Sequence, residues 1–143
     1  MAQAKGMNGH VIICGYGIVG QKIADVLSEH SIPFVIIDNT TLRVEKLREL
    51  GMGVIDGDAT HSKTLKAAGV ETAKAIAIAI DDDAKSLFIV LTARDLNKKI
   101  FITARANDEF VREKLIEAGA DYVAMPQKAA SKEIVKELLK SET

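Results

Sequence analysis

A short β-branched run, His10-Val-Ile-Ile-Cys14, leads directly into Gly15-Tyr16-Gly17-Ile18-Val19-Gly20. The segment Ile18–His30 then sets Ile23, Val26 and Leu27 at helical spacing. Strand, G-x-G-x-x-G and helix in this order leave few folds open, because each glycine answers a separate steric demand. Gly15 permits the sharp strand-to-helix turn, Gly17 lets the backbone approach a pyrophosphate with no Cβ between, and Gly20 lets the helix lie close on the sheet. The N–H groups that open such a helix have no intrahelical partner and carry partial positive charge, so a phosphate suits them.

The rest of the chain repeats the alternation. Strands are expected at Pro33–Asp38, Gly53–Asp56, Ala75–Ile80, Lys99–Ala104 and Tyr122–Met125. Helices are expected at Thr41–Leu50, Ser62–Ala68, Asp83–Leu96, Glu109–Ala118 and Ser131–Leu139, with Gly51, Gly69 and Gly119 as stops. Ala75-Ile-Ala-Ile-Ala-Ile80 has nothing polar on either face, which suits a strand covered on both sides. Six strands, each followed by a helix, predict an α/β fold of Rossmann-like, doubly wound type. The parallel six-stranded sheet takes the order 3-2-1-4-5-6 with helices on both faces, and ligands lie where the first and fourth strands part. At 143 residues there is room for one such domain, expected over 9–143 after a disordered leader over 1–8.

Lys+Arg 19 against Asp+Glu 20 leaves a charge of −1, so no basic field draws the chain to nucleic acid. The purest apolar run, Ala75–Ile80, has six residues, far short of the ~20 that span a bilayer. The single cysteine, Cys14, cannot form an internal disulfide and points to a reducing, cytoplasmic setting. It reads as packing at a strand end; His10, His30 and His61 show no metal-ligand spacing and read as surface or strand-edge residues.

The second strand ends in Asp38, 18 positions after Gly20, where a carboxylate can accept both hydroxyls of an adenosine ribose. A carboxylate there would repel a 2′-phosphate, which favours NAD(H) or an adenine mononucleotide over NADP(H). Three further strand ends open on the same crevice: Gly57-Asp58-Ala59-Thr60, Asp81-Asp82-Asp83 and Ala104-Arg105-Ala106-Asn107. Asp58 either buttresses the glycine turn or touches adenosine, or is a turn or capping residue. Asp81 and Asp82 face the ligand or hold a divalent cation, unless Asp82 or Asp83 caps the next helix. Arg105, read as the only cation at these openings, reaches a phosphate or base, or forms a structural salt bridge. No G-x-S-x-G or H-E-x-x-H occurs, and no length is left for a substrate-binding half, so binding without catalysis is expected.

Several segments appear in order: residues 10–20, Ile37-Asp38, Gly57–Thr60, Leu65–Val70, the Ala/Ile strand into acidic residues at 75–83, Ala104–Ala106 and Ala118–Val123. Over about residues 9–140 the chain resembles the TrkA-N domain, also called RCK or KTN, which regulates conductance in K+ channels and transporters. The resemblance implies a cytosolic Rossmann domain that forms homodimers, often within octameric rings, and acts on a membrane channel or transporter subunit without inserting in the bilayer. It implies NAD(H) as cofactor, with AMP, ADP, ATP or Ca2+ also found among members. Gly15, Gly17 and Gly20 would cradle phosphate together with the turn residues Tyr16, Ile18 and Val19. Asp38 with Asn39 would hold the ribose, Asp58, Ala59 and Asp81 would line the adenosine side, and Arg105 would lie near the phosphates. Many members carry arginine where this chain has Ile18, which implies one phosphate contact fewer. The helix from Ser131, with Ile134, Val135, Leu138 and Leu139 on one side, is either a swapped dimer element or packs on its own sheet. The chain is then one domain of a longer channel or antiporter, or a stand-alone subunit. A different class, the cofactor domain of a larger oxidoreductase or phosphohydrolase, also fits the glycine turn.

Overall fold

The structure, a computed structural model, describes residues 7–142. The elements run β1 (Val11–Cys14), α1 (Ile18–Glu29), β2 (Phe34–Asp38), α2 (Thr41–Glu49), β3 (Val54–Asp56) and α3 (Ser62–Ala67). They continue as β4 (Ala75–Ile78), α4 (Asp83–Leu96), β5 (Phe101–Arg105), α5 (Glu109–Ala118), β6 (Tyr122–Ala124) and α6 (Pro126–Ser141). The six strands form one parallel sheet in the order β3-β2-β1-β4-β5-β6, as the alternation predicts.

Each central strand buries both faces, which is why its sequence is continuously apolar rather than alternating with polar residues. Ile12 and Cys14 of β1 join Ile76, Ile89, Ile102 and Leu115 in a cluster under α3, α4 and α5. Val11 and Ile13, pointing the other way, meet Ala24, Ile36, Val44 and Leu47 under α1 and α2. The alanines of β4 sort the same way: Ala75 packs toward α1 and α2, while Ile76 and Ile78 enter the larger cluster. Small side chains on that face, with the buried Gly20 and Ala24 of α1, let the helix sit close to the sheet.

Several expectations shift. Of the leader expected over 1–8, residues 1–6 lie outside the described residues. Met7, however, packs against the core, and its carbonyl accepts the Thr72 hydroxyl at 2.7 Å. His10 is fully buried rather than at the surface, and its Nε2 donates to the Ala68 carbonyl at 2.8 Å, joining β1 to the end of α3. The last helix begins at Pro126, five residues before Ser131. Proline is well placed at the first helical position, where its missing N–H has no partner to lose; the apolar periodicity that signals the helix starts only at Ile134. No residue of α6 is buried, so it does not pack on its own sheet.

Ala24 is 0% exposed between α1 and the sheet. Ala24→Leu should cost about 1–3 kcal/mol by overpacking, read as a lower urea midpoint at unchanged slope; an unaltered midpoint would mean that α1 is free to lift from the sheet.

Candidate functional site

The carboxyl ends of β1, β2, β3, β4 and β5 enclose a cleft of about 610 Å3. Its floor is the junction from β1 into α1. Gly15 has φ +90°, and a Cβ there would come within 3.0 Å of Ile80 Cγ1, so the bend needs glycine in conformation as well as in space. A Cβ on Gly20 would collide with the Gly15 carbonyl oxygen, which binds the first turn of α1 tightly to the loop before it. Gly17 is different. Its φ is −81°, allowed to any residue, and a Cβ would meet nothing within 4 Å. Protein packing does not require that glycine, which borders the open space of the cleft.

Around that space the main chain presents donors. Gly15 N–H is taken by the Ile37 carbonyl and Tyr16 N–H by the Asp38 carboxylate, whereas the Gly17, Ile18 and Val19 N–H groups find no acceptor among the described residues. Helices α4 and α5 are capped by Asp82 and Asp108, which accept from Lys85 N–H and Val111 N–H. The N-cap of α1 is Gly17, which has no side chain to do the same, and its first turn holds no acidic residue. A partial positive charge is thus left facing the cleft.

Asp38 closes β2 with its side chain only 4% exposed. Oδ1 accepts Thr40 N–H at 2.8 Å; Oδ2 accepts Tyr16 N–H at 2.9 Å and Arg43 Nη1 at 3.2 Å. Burial by itself pushes this carboxyl up, but the hydrogen bonds from Thr40, Tyr16 and Arg43 and the guanidinium charge outweigh it and hold it below the usual carboxylate range.

The expected residues mostly converge. Gly15, Tyr16, Gly17, Ile18, Val19, Asp38, Asn39, Asp58, Ala59, Asp81 and Arg105 all line the cleft; Gly20 lies buried beneath it and serves the packing of α1. Asp58 is a turn residue. It accepts the Thr60 hydroxyl at 2.7 Å and the Thr60 N–H at 2.9 Å, bonds that lower its pKa, and it still borders the cleft. Asp82 is the cap of α4, and Asp81 accepts Asn107 Nδ2 at 3.2 Å. Arg105, at the end of β5, has no hydrogen-bond or salt-bridge partner among the described residues, so the structural salt bridge is not formed. It is not the only cation there: Arg43 and Lys85 also line the cleft. Both were missed because they sit inside helices, at the first turns of α2 and α4, and only the fold turns those turns toward the strand ends. Cys14, under the floor, is fully buried, and burial pushes its thiol up to about 12, so it stays protonated and inert at neutral pH.

Residues 11–126 match the TrkA-N domain. The chain belongs to the TrkA-N domain family. This TrkA-N domain is 40% identical over 138 residues to potassium channel protein 1 of Methanocaldococcus jannaschii, covering 95% of the chain but 41% of that protein. Among solved structures it superposes on the TrkA-N domain of the inner membrane protein YbaL from Escherichia coli with a TM-score of 0.90 at 30% identity, covering 93% of this chain and 98% of that one. It is also similar to the GsuK channel bound to NAD (TM-score 0.77, 25% identity, 84% of this chain and 22% of that one). A fourth likeness is to the Kef CTD of Shewanella denitrificans in AMP-bound form (TM-score 0.79, 29% identity, 92% and 79%).

Because the folded state lowers the Asp38 pKa from 3.8, its stabilisation is complete above the unfolded value and is lost as pH falls through the depressed folded value. Asp38→Asn should therefore be less stable than the native chain at pH 7, and the gap should narrow below about pH 4. Parallel urea titrations across that range check it; a gap constant with pH would show that the carboxylate charge contributes nothing.

Proposed function

We propose that this chain is a nucleotide-binding regulatory domain of a K+ or cation channel or transporter, holding NAD(H) or an adenine nucleotide without catalysing a reaction. The observation that carries the reading is the set of unpaired N–H groups at Gly17, Ile18 and Val19, which face open space beside a buried carboxylate. A phosphate would accept from those donors, and Asp38, 22 positions along from Tyr16 and bonded to its N–H, would accept from the ribose. Arg105 and Lys85 would neutralise phosphate charge from the opposite wall, and Ala59 would give the base an apolar contact. A cleft of about 610 Å3 is of ordinary size for such a ligand. The nucleotides bound by the GsuK channel and the Kef CTD are of the same chemistry.

The likeness to potassium channel protein 1 and to the GsuK channel supports the regulatory part. No helix among the described residues is long and apolar enough to cross a membrane. A domain of this kind would act on a pore carried elsewhere, from its cytosolic face. The partner needed to transmit the signal would be a second copy of this chain. Ile134, Val135, Leu138 and Leu139 lie on α6, each at least 50% exposed, and Phe88 and Phe110 on α4 and α5 are likewise uncovered. Exchange of α6 between copies would bury both sets, and rings of such dimers would follow the same contact.

A melting-curve panel of NAD+, NADH, NADP+, AMP, ADP and ATP tests the reading. A ligand at 100 times its Kd should add about 2.7 kcal/mol of stability, with NADP+ weakest because its 2′-phosphate would meet Asp38. Gly17→Val should fold, at the loss of about 1 kcal/mol for a poorer N-cap, and should respond to none of them. If the native chain also responds to none, the reading is wrong. For the dimer, Leu138→Glu should shift the chain to monomer in sedimentation; native protein that is already monomeric would exclude this contact.

A further inference from the structure

Asp38 has less room for a ribose than the motif suggests. A carboxylate offers about four lone-pair positions. One on Oδ1 is taken by Thr40 N–H and two on Oδ2 by Tyr16 N–H and Arg43 Nη1. A ribose diol brings two donors, and one acceptor position, on Oδ1, is free. The two main-chain donors cannot leave: Tyr16 N–H is set by the glycine turn and Thr40 N–H by the start of α2, and neither has another acceptor. Arg43 can. Its bond is the longest of the three, its side chain is 42% exposed, and it borders a second cleft of about 510 Å3 shared with Tyr16, Gln21, Leu42 and Lys46. A guanidinium moved there stays hydrated.

From this count, and resting on the nucleotide-binding reading above, we infer that Arg43 competes with the ligand's ribose for Asp38 and thereby sets how strongly the site prefers ribose to deoxyribose. A ligand with both hydroxyls must displace Arg43 to engage both oxygens of Asp38. A 2′-deoxynucleotide, with one hydroxyl, uses the free position on Oδ1 and leaves the ion pair in place. Part of the gain from the 2′-hydroxyl is therefore cancelled by the lost ion pair, and the native site discriminates less than its carboxylate alone would.

Calorimetric titration of the full chain with AMP and 2′-deoxy-AMP, repeated on Arg43→Met and Arg43→Lys, tests this. In Arg43→Met the Kd for AMP should fall roughly two- to fivefold while that for 2′-deoxy-AMP stays within about twofold, the range expected from removing a partly exposed ion pair. The ratio of the two constants should widen accordingly. Arg43→Lys, which keeps a cation near Asp38, should return the ratio toward the native value. A merely structural role for Arg43 would move both ligands together. Equal weakening of both, or an unchanged ratio, overturns the inference and leaves nucleotide binding intact; native protein that binds neither ligand overturns both.

Discussion

The Asp38 carboxylate ties two parts of the chain that local structure would leave independent. Its Oδ2 accepts the N–H of Tyr16, so the end of β2 holds the glycine turn at the end of β1. Gly20 completes the arrangement by allowing α1 to rest on the Gly15 carbonyl. With the loop pinned on both sides, the next three N–H groups have one direction left to point, into the cleft. A buried carboxylate is costly unless it is hydrogen-bonded, and the two main-chain donors that satisfy it are the ones that shape the site.

The parallel sheet explains why the remaining groups meet there. β1 and β4 are neighbours in the sheet but their following helices lie on opposite faces, so the loops after them separate and leave a crevice. Asp38, Asp58, Asp81 and Arg105 come from four different strand ends and are brought together by that separation alone. Asp38 and Asp58, partly offset by Arg43, stand toward β2 and β3, while Lys85 and Arg105, partly offset by Asp81, stand toward β4 and β5 with the α1 dipole between, so the cleft is net acidic at one end and net positive at the other. A phosphate ester of a sugar has the matching polarity.

Much of this was readable in the residues. The strand order followed from six apolar runs alternating with helical periods, and the roles of Gly15 and Gly20 followed from their places around the bend. What escaped notice shares one cause. Arg43 and Lys85 lie within helices, where spacing says which face a residue occupies on its own helix but not what that face meets. His10 reads as a polar strand-edge residue until the end of α3 brings the Ala68 carbonyl to its ring. The five extra residues at the start of α6, Pro-Gln-Lys-Ala-Ala, carry no apolar period from which a helix could be read.

The sequence by itself determined the architecture, the bend and the presence of an acid at the end of β2, since hydrophobic period and glycine stereochemistry act over a few residues and do not depend on distant partners. Only the tertiary structure decided how Asp38 is occupied and that, among the described residues, Arg105 has no side-chain partner and α6 has no buried residue. Those are matters of which groups from remote segments come within hydrogen-bonding distance, and that distance is set by the packing of the whole sheet.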